Sequence, residues 1–296
     1  MSDESGRPWT VLKLLDWTKK YFAEAKVDEP RLCAEVLLAH VLDCRRIELY
    51  TRFDYAPNSK QLAAYRKLVK RASEHEPTAY LVGYREFYSL KFKVTPDVLI
   101  PRPETEQLVA EAEAHLKTLK RPGFMWDICT GSGCVAIATA VQVNDLHVLA
   151  TDICTQAVAL VRANAQAHNV TSRLCCRVAD LAGLPDDCGD LTAQKFDVIT
   201  ANPPYVADGD TVGESVKHEP PTALYAGADG LDCIRKLLPQ IPPLLQGGGI
   251  FAMEFGAGQH DAITDLIVRI KHFSEPEILK DHQGIERTVV VSKEKS

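Results

Sequence analysis

The stretch Trp126-Asp-Ile-Cys-Thr-Gly-Ser-Gly-Cys-Val-Ala-Ile-Ala-Thr-Ala constrains the fold more than any other part of the chain. An apolar run of strand character enters two glycines and continues at once as a helical pattern. Gly131 and Gly133 can take positive φ and let a ligand approach the backbone, and the free N–H groups of the helix start face the same space. A tight strand-to-helix turn with no ligand is the plain alternative.

From residue 124 onward this strand-then-helix unit recurs. Strands are expected at 124–129, 147–151, 174–179, 196–201 and 250–255, with helices at 134–143, 155–168, 231–245 and 259–271. Such alternation implies a parallel sheet covered by helices on both faces. The closing stretches EPEILKD and GIERTVVVSK have no helix between them, so they should pair as an antiparallel hairpin. Residues 9–85 instead carry apolar residues at three- and four-residue intervals, broken by Pro30 and by DYAPNS, and read as a small helical domain. The period of about two in REFYSLKFKVTPDVLIP predicts a hairpin between the two. The expected organisation is a helical domain over 1–85, a hairpin linker over 86–100 and a catalytic α/β domain over 101–296.

The glycine loop fits two ligands. Gly131-x-Gly133-x-x-Ala136 matches the dinucleotide fingerprint, and S-adenosylmethionine uses a similar loop. Asp152 ends the second strand, where a carboxylate accepts both ribose hydroxyls of either ligand. Asp180, ending the third strand, is a candidate for the adenine side or for a helix N-cap.

Asn202-Pro203-Pro204-Tyr205 separates the two readings. It follows the fourth strand, beside the first, at the carboxyl edge of the sheet where open α/β folds bind ligands. Neither proline has an N–H, and both fix φ near −65°, so the loop is a stiff set of carbonyl acceptors. Acceptors suit a substrate presenting an NH2 group, with the Asn202 side-chain oxygen and the Pro203 carbonyl each taking one hydrogen. Bonding both hydrogens in fixed geometry favours the pyramidal nitrogen that forms during attack. Tyr205 supplies a flat wall for a planar group. The sulfonium of S-adenosylmethionine is already an activated electrophile, so no metal is demanded. A dehydrogenase would need a hydride-handling His, Lys or Tyr nearby, and no local constellation supplies one.

With TGSG, the TD of the second strand and NPPY after the fourth, the chain resembles class I S-adenosylmethionine-dependent amino-methyltransferases. Three further stretches, EPTAYLVGYREFYSLKFKVTPDVLIPRPETE, HEPPTALYAGADGLD and GIERTVVV, resemble the HemK/PrmC family of peptide chain release factor glutamine N5-methyltransferases. The likeness runs from about residue 9 to 291. It implies a Rossmann-like seven-stranded sheet behind a helical substrate-recognition domain. It also implies methyl transfer from S-adenosylmethionine, leaving S-adenosylhomocysteine, to the glutamine amide of the Gly-Gly-Gln loop of class 1 release factors. The family's cofactor positions fall on Cys129, Thr130, Gly131, Ser132, Gly133, Asp152, Asp180, Leu181 and Asn202. Its substrate positions fall on Asn202, Pro203, Pro204 and Tyr205, with Asn202, Pro203 and Tyr205 carrying the chemistry. Cys129 stands where the family often has glycine, and Leu181 where it commonly has tryptophan.

Composition bears on the alternatives. A net charge of −6 gives no overall basic field for holding nucleic acid, which weighs against the other enzymatic reading, an adenine-type amino-methyltransferase acting on DNA or RNA. A noncatalytic binding module would not need Asn202. The start MSDESGRPW has no apolar signal core, and no apolar run approaches the ~18 residues of a membrane span. A cytoplasmic monomer without membrane or stable nucleic-acid partners is expected. Nine scattered cysteines, without zinc spacing, suggest reduced thiols and no metal. Glu104 and Glu106 in IPRPETE suit the positive end of a helix, His218 and Glu219 a loop bordering the pocket, and Glu254 either the cleft or a satisfied buried carboxylate.

Overall fold

The computed structural model describes residues 8–185, 188, 189, 191 and 194–295. The reading of the first seven residues as free of a leader lies outside these. Two compact units are present: the chain through Tyr84 together with Val212–His218, and Arg85–Thr211 together with Glu219 onward.

The first unit packs α1 (Val11–Glu24), α2 (Pro30–Val41), α3 (Ser59–Ser73) and α4 (Thr78–Val82). Their starts follow from capping chemistry. Asn58 and Gln61 form a reciprocal capping box, each side chain accepting the other's backbone N–H. Pro30 opens α2, where its missing donor costs nothing. Phe22, Leu37, Leu38 and Leu49 are fully buried among the helices. Tyr65 joins them because its hydroxyl donates to Thr18 Oγ1 at 3.0 Å. Ser215 Oγ donates to Asp28 Oδ2 at 3.0 Å, securing the 212–218 segment to this unit.

A hairpin of β1 (Tyr84–Phe87) and β2 (Leu90–Lys93) leads into the second unit. Its two turn residues, Tyr88 and Ser89, both have positive φ, the conformation that matches strand twist in two-residue hairpins. The elements that follow are α5 (Glu106–Leu116), β3 (Gly123–Ile128), α6 (Cys134–Gln142), β4 (Leu146–Asp152), α7 (Thr155–Ala167), β5 (Leu174–Val178), β6 (Phe196–Ala201), α8 (Asp232–Leu237), β7 (Leu245–Glu254), α9 (His260–Ile267), β8 (Glu277–Lys280) and β9 (Glu286–Ser292). Seven strands form one sheet in the order β5-β4-β3-β6-β7-β9-β8. All pairs are parallel except β7–β9 and β8–β9. Order reverses between β3 and β6, which opens a crevice at their carboxyl ends.

Side-chain alternation splits the core in two. Met125, Val148 and Val198 meet α5, α6 and α7, whereas Trp126, Leu149 and Ile199 meet α8 and α9. Buried on both faces, the central strands read as continuous apolar runs. The register aligns Ile128 with Thr151 and Ala201, and Ala201 with Met253. Residues 129–133, Asp152, Asn202 and Glu254 therefore all leave the same edge.

Two expectations are corrected. The helix expected over 231–245 ends at Leu237, followed by a 3-10 turn, and β7 begins at Leu245; Pro239, Pro242 and Pro243 deny the donors a longer helix needs. The cysteines are not all reduced either, since Cys175 of β5 and Cys188 are joined in a disulfide with Cα atoms 6.3 Å apart.

Candidate active site

Asp127 anchors the glycine loop from below. It is 2% exposed and accepts from Thr130 Oγ1 at 2.6 Å and Thr200 Oγ1 at 2.7 Å. Burial pushes its carboxyl up to about 6, against the pull of those hydroxyls. Because the folded-state value is raised, the stability tied to Asp127 is present below about pH 4 and is lost as pH rises through about 6. In paired melts from pH 4 to 7, wild type should lose stability relative to Asp127→Asn as pH rises across that window; parallel curves would remove this assignment.

Gly131 and Gly133 have φ of 54° and 81°, but they do different things. A Cβ on Gly131 meets nothing within 4 Å, so the missing methyl leaves open space at the crevice. A Cβ on Gly133 would lie 3.0 Å from Ile137 and from Val161, so that glycine lets α6 pack against α7. Cys129 also has positive φ, 56°, which explains why a glycine suits this position in the family; a non-glycine residue there costs about 1–2 kcal/mol. Asn164, 1% exposed, staples the loop to the hairpin, donating to Ser132 O at 2.8 Å and Lys93 O at 3.0 Å while accepting from Lys93 N.

Asp152 stands at the end of β4. Its Oδ2 accepts from Gly131 N and its Oδ1 from Cys154 N, both at 2.9 Å. Each carboxylate oxygen retains lone-pair capacity, so the group is oriented by backbone and still able to accept hydroxyls. Asp180 is exposed and followed by a turn in which Gly183 N donates to its carbonyl, rather than capping a helix. Leu181 follows with φ 48° and packs against the core of the α8–α9 face.

Asn202 through Tyr205 emerge from β6 on the other side of the crevice. Pro203 is buried and its neighbours half-buried. Asn202 Nδ2 donates to Thr105 Oγ1 at 3.2 Å. Tyr205 donates its hydroxyl to Glu254 Oε1 at 3.0 Å, and Thr105 Oγ1 donates to Glu254 Oε2 at 2.6 Å. Burial pushes both the Glu254 carboxyl and the Tyr205 phenol up, so the phenol stays a donor. Glu254 is thus the satisfied buried carboxylate of the two readings, and it also borders the loop.

The loop's backbone is clamped as well. Gln259 Nε2 donates to Tyr205 O at 3.0 Å, and Val206 N donates to Leu224 O at 2.8 Å. Gly230, φ 74°, lies so close that a Cβ would stand 2.2 Å from Tyr205 O. Gly230→Ala should therefore cost about 2–5 kcal/mol, read by urea unfolding; a loss under 1 kcal/mol would mean the loop shifts freely. Glu219, 3% exposed, accepts Ile100 N at 3.0 Å and pairs with Arg102. It braces the segment before α5. Glu106 turns to the hairpin, accepting Tyr88 N at 2.7 Å, instead of acting only on its own helix.

Thr105, Gln259, Gly230 and Asn164 went unseen in the sequence. Thr105 lies within IPRPETE, where the flanking glutamates carry the stronger signal, and nothing in local spacing marks the others.

The fold and the crevice define a class I methyltransferase: a glycine loop and an oriented Asp152 on one side, an Asn-Pro-Pro-Tyr loop on the other. Residues 13–83 match the PrmC N-terminal domain family and residues 106–224 the methyltransferase small domain. A release factor glutamine methyltransferase of Rhodopirellula baltica is 40% identical over 293 residues, covering 97% of each chain. The Geobacter sulfurreducens protein of the same description is 39% identical over 285 residues, covering 95% of this chain and 96% of its own. The solved hMettl16 catalytic domain, in complex with MAT2A 3'UTR hairpin 1, aligns with a TM-score of 0.55 at 16% identity over 72% of this chain and 76% of its own, a likeness of fold. The chain belongs to the release factor glutamine methyltransferase family, whose class uses S-adenosylmethionine.

Proposed function

We propose that the protein transfers a methyl group from S-adenosylmethionine to the side-chain amide nitrogen of the glutamine in the Gly-Gly-Gln loop of class 1 release factors, in the cytoplasm. The observation that carries the reading is Asn202 held by its Nδ2 on Thr105, which commits its nitrogen and leaves Oδ1 as the end that can accept.

The residues fit the cofactor: Gly131 leaves space where a Cβ would stand, and Asp152 is oriented with lone pairs to spare. Bound S-adenosylmethionine supplies an electrophilic methyl whose C–S electron pair returns to sulfur, leaving S-adenosylhomocysteine. Cys129 through Gly133 would line it, Asp152 would hold its ribose, and Asp180 with Leu181 would flank the adenine. Asn202 Oδ1 and Pro203 O accept the two amide hydrogens and aim the nitrogen at the methyl, while Pro204 and Tyr205 wall the planar group. The lone pair used in the new N–C bond is withdrawn from amide resonance. The nitrogen then sheds a proton to water readily, because an N-protonated amide is strongly acidic. Orientation of this kind supplies up to about 7–11 kcal/mol of the barrier reduction, without a metal.

The test is transfer of labelled methyl to a class 1 release factor, beside a copy with alanine for the Gly-Gly-Gln glutamine, with DNA and RNA as parallel acceptors. Label on the intact factor alone supports the reading. Label on nucleic acid, or none anywhere, overturns it.

A further inference from the structure

Asn202 can do its work only if its amide presents the oxygen and not the nitrogen to the substrate. The two ends of an asparagine amide have nearly the same shape, so packing alone does not choose between them. Hydrogen bonding does. Thr105 is 3% exposed and Glu254 1% exposed, and both oxygens of Glu254 accept from hydroxyls. Glu254 Oε2 takes the single hydrogen of Thr105 Oγ1 at 2.6 Å, and Oε1 takes that of Tyr205. With its one hydrogen committed, Thr105 can only accept from Asn202, so it faces Nδ2, at 3.2 Å. Oδ1 is thereby turned the other way.

We infer that Thr105 and Glu254 are positioning residues for the methyl transfer, forming a polar relay in which Glu254 accepts from Thr105 and from Tyr205, so that Thr105 can only accept from Asn202 and fixes the face that Asn202 shows to the substrate amide. The same carboxyl group holds the Tyr205 phenol, so both side chains that meet the substrate take their orientation from one acceptor. Neither Thr105 nor Glu254 is assigned contact with the reacting atoms; they act through Asn202 and Tyr205. The inference rests on the proposed glutamine methylation.

The relay makes a specific demand on Thr105→Val, which keeps the shape and removes the hydroxyl. Freed from its acceptor, Asn202 samples both faces and the aim of the substrate nitrogen is lost. Misplacements of this size cost up to about a hundredfold in rate. Thr105→Val should therefore lower kcat about 10- to 100-fold. KM for the release factor and the calorimetric Kd for S-adenosylmethionine should stay near wild type, while the melting temperature falls because Glu254 Oε2 loses its buried donor. Thr105→Ser, which restores the hydroxyl, should return kcat to within about threefold. Glu254→Gln keeps the volume but can donate to Thr105, releasing the hydroxyl hydrogen toward Asn202 and reversing the amide; it should lower kcat about tenfold or more with Kd unchanged.

Wild type is assayed first on the release factor. No label from wild type defeats the functional reading, and the relay with it. Label from wild type with an unchanged kcat in Thr105→Val overturns the relay alone. So does a loss that Thr105→Ser does not repair, or one that follows a fall in cofactor affinity.

Discussion

Asn202→Ala should abolish methyl transfer, with kcat falling about a thousandfold or more, while S-adenosylmethionine binds within about threefold of wild type. The size follows from what the side chain does. Removing one preorganised group that stabilises developing charge costs about 10²–10³ in kcat, and this loss also frees the Pro203 carbonyl to face a substrate amide it no longer aims. Truncation further strips Thr105 Oγ1 of its donor at 3.2 Å, so the surrounding hydrogen bonds relax. The loss of cofactor affinity is modest because, although Asn202 is itself a cofactor position, the glycine loop and Asp152 are organised from β3 and β4, through Asp127 and Thr130. Single-turnover rates at saturating cofactor, with calorimetry alongside, separate the two quantities. Near-normal turnover in Asn202→Ala would mean that the nitrogen is aimed by something else.

What could be read in advance was whatever is local. Strands β3, β4, β5 and β6 lie within a residue or two of the expected ranges, since a buried parallel strand ending in glycine or asparagine announces itself in a few residues. Asp152 and Asn202 are visible for the same reason: each stands at the carboxyl end of an apolar-rich strand at one sheet edge. The proline-rich stretch after Leu237 misled because its apolar spacing is helical while its prolines forbid the hydrogen bonds. Long-range partners left no trace. Thr105 meets Asn202 across 97 residues and Glu254 across 149, and only the sheet order β3-β6-β7, with α5 lying over it, brings the three together. Gly230 likewise reads as a turn glycine until the Tyr205 carbonyl is found against it. Cys129 is the opposite case, a departure visible in sequence whose meaning, a positive φ that glycine would take more cheaply, needed the backbone.

Asp152→Ala should produce the complementary defect: S-adenosylmethionine and S-adenosylhomocysteine both bind about a hundredfold or more weakly, and kcat is largely recovered once cofactor saturates. Hydrogen bonds to a charged group contribute about 1.5–3 kcal/mol each, so losing two ribose hydroxyl contacts accounts for roughly two to four decades of Kd. A second cost falls on the protein itself. The carboxylate ties Gly131 N to Cys154 N, joining the glycine loop to the start of α7, and alanine leaves both N–H groups unpaired at the crevice. Asp152→Asn distinguishes the two contributions. It still offers one oxygen to the backbone, but its NH2 must face the other N–H or a ribose hydroxyl, so its loss should fall between wild type and alanine. Calorimetry with S-adenosylhomocysteine reads the affinities without turnover. If Asp152→Ala instead lowered kcat at saturating cofactor as far as Asn202→Ala does, the division of the crevice into a cofactor side on β4 and a substrate-aiming side on β6 would be wrong, and the glycine loop would have to take part in placing the methyl.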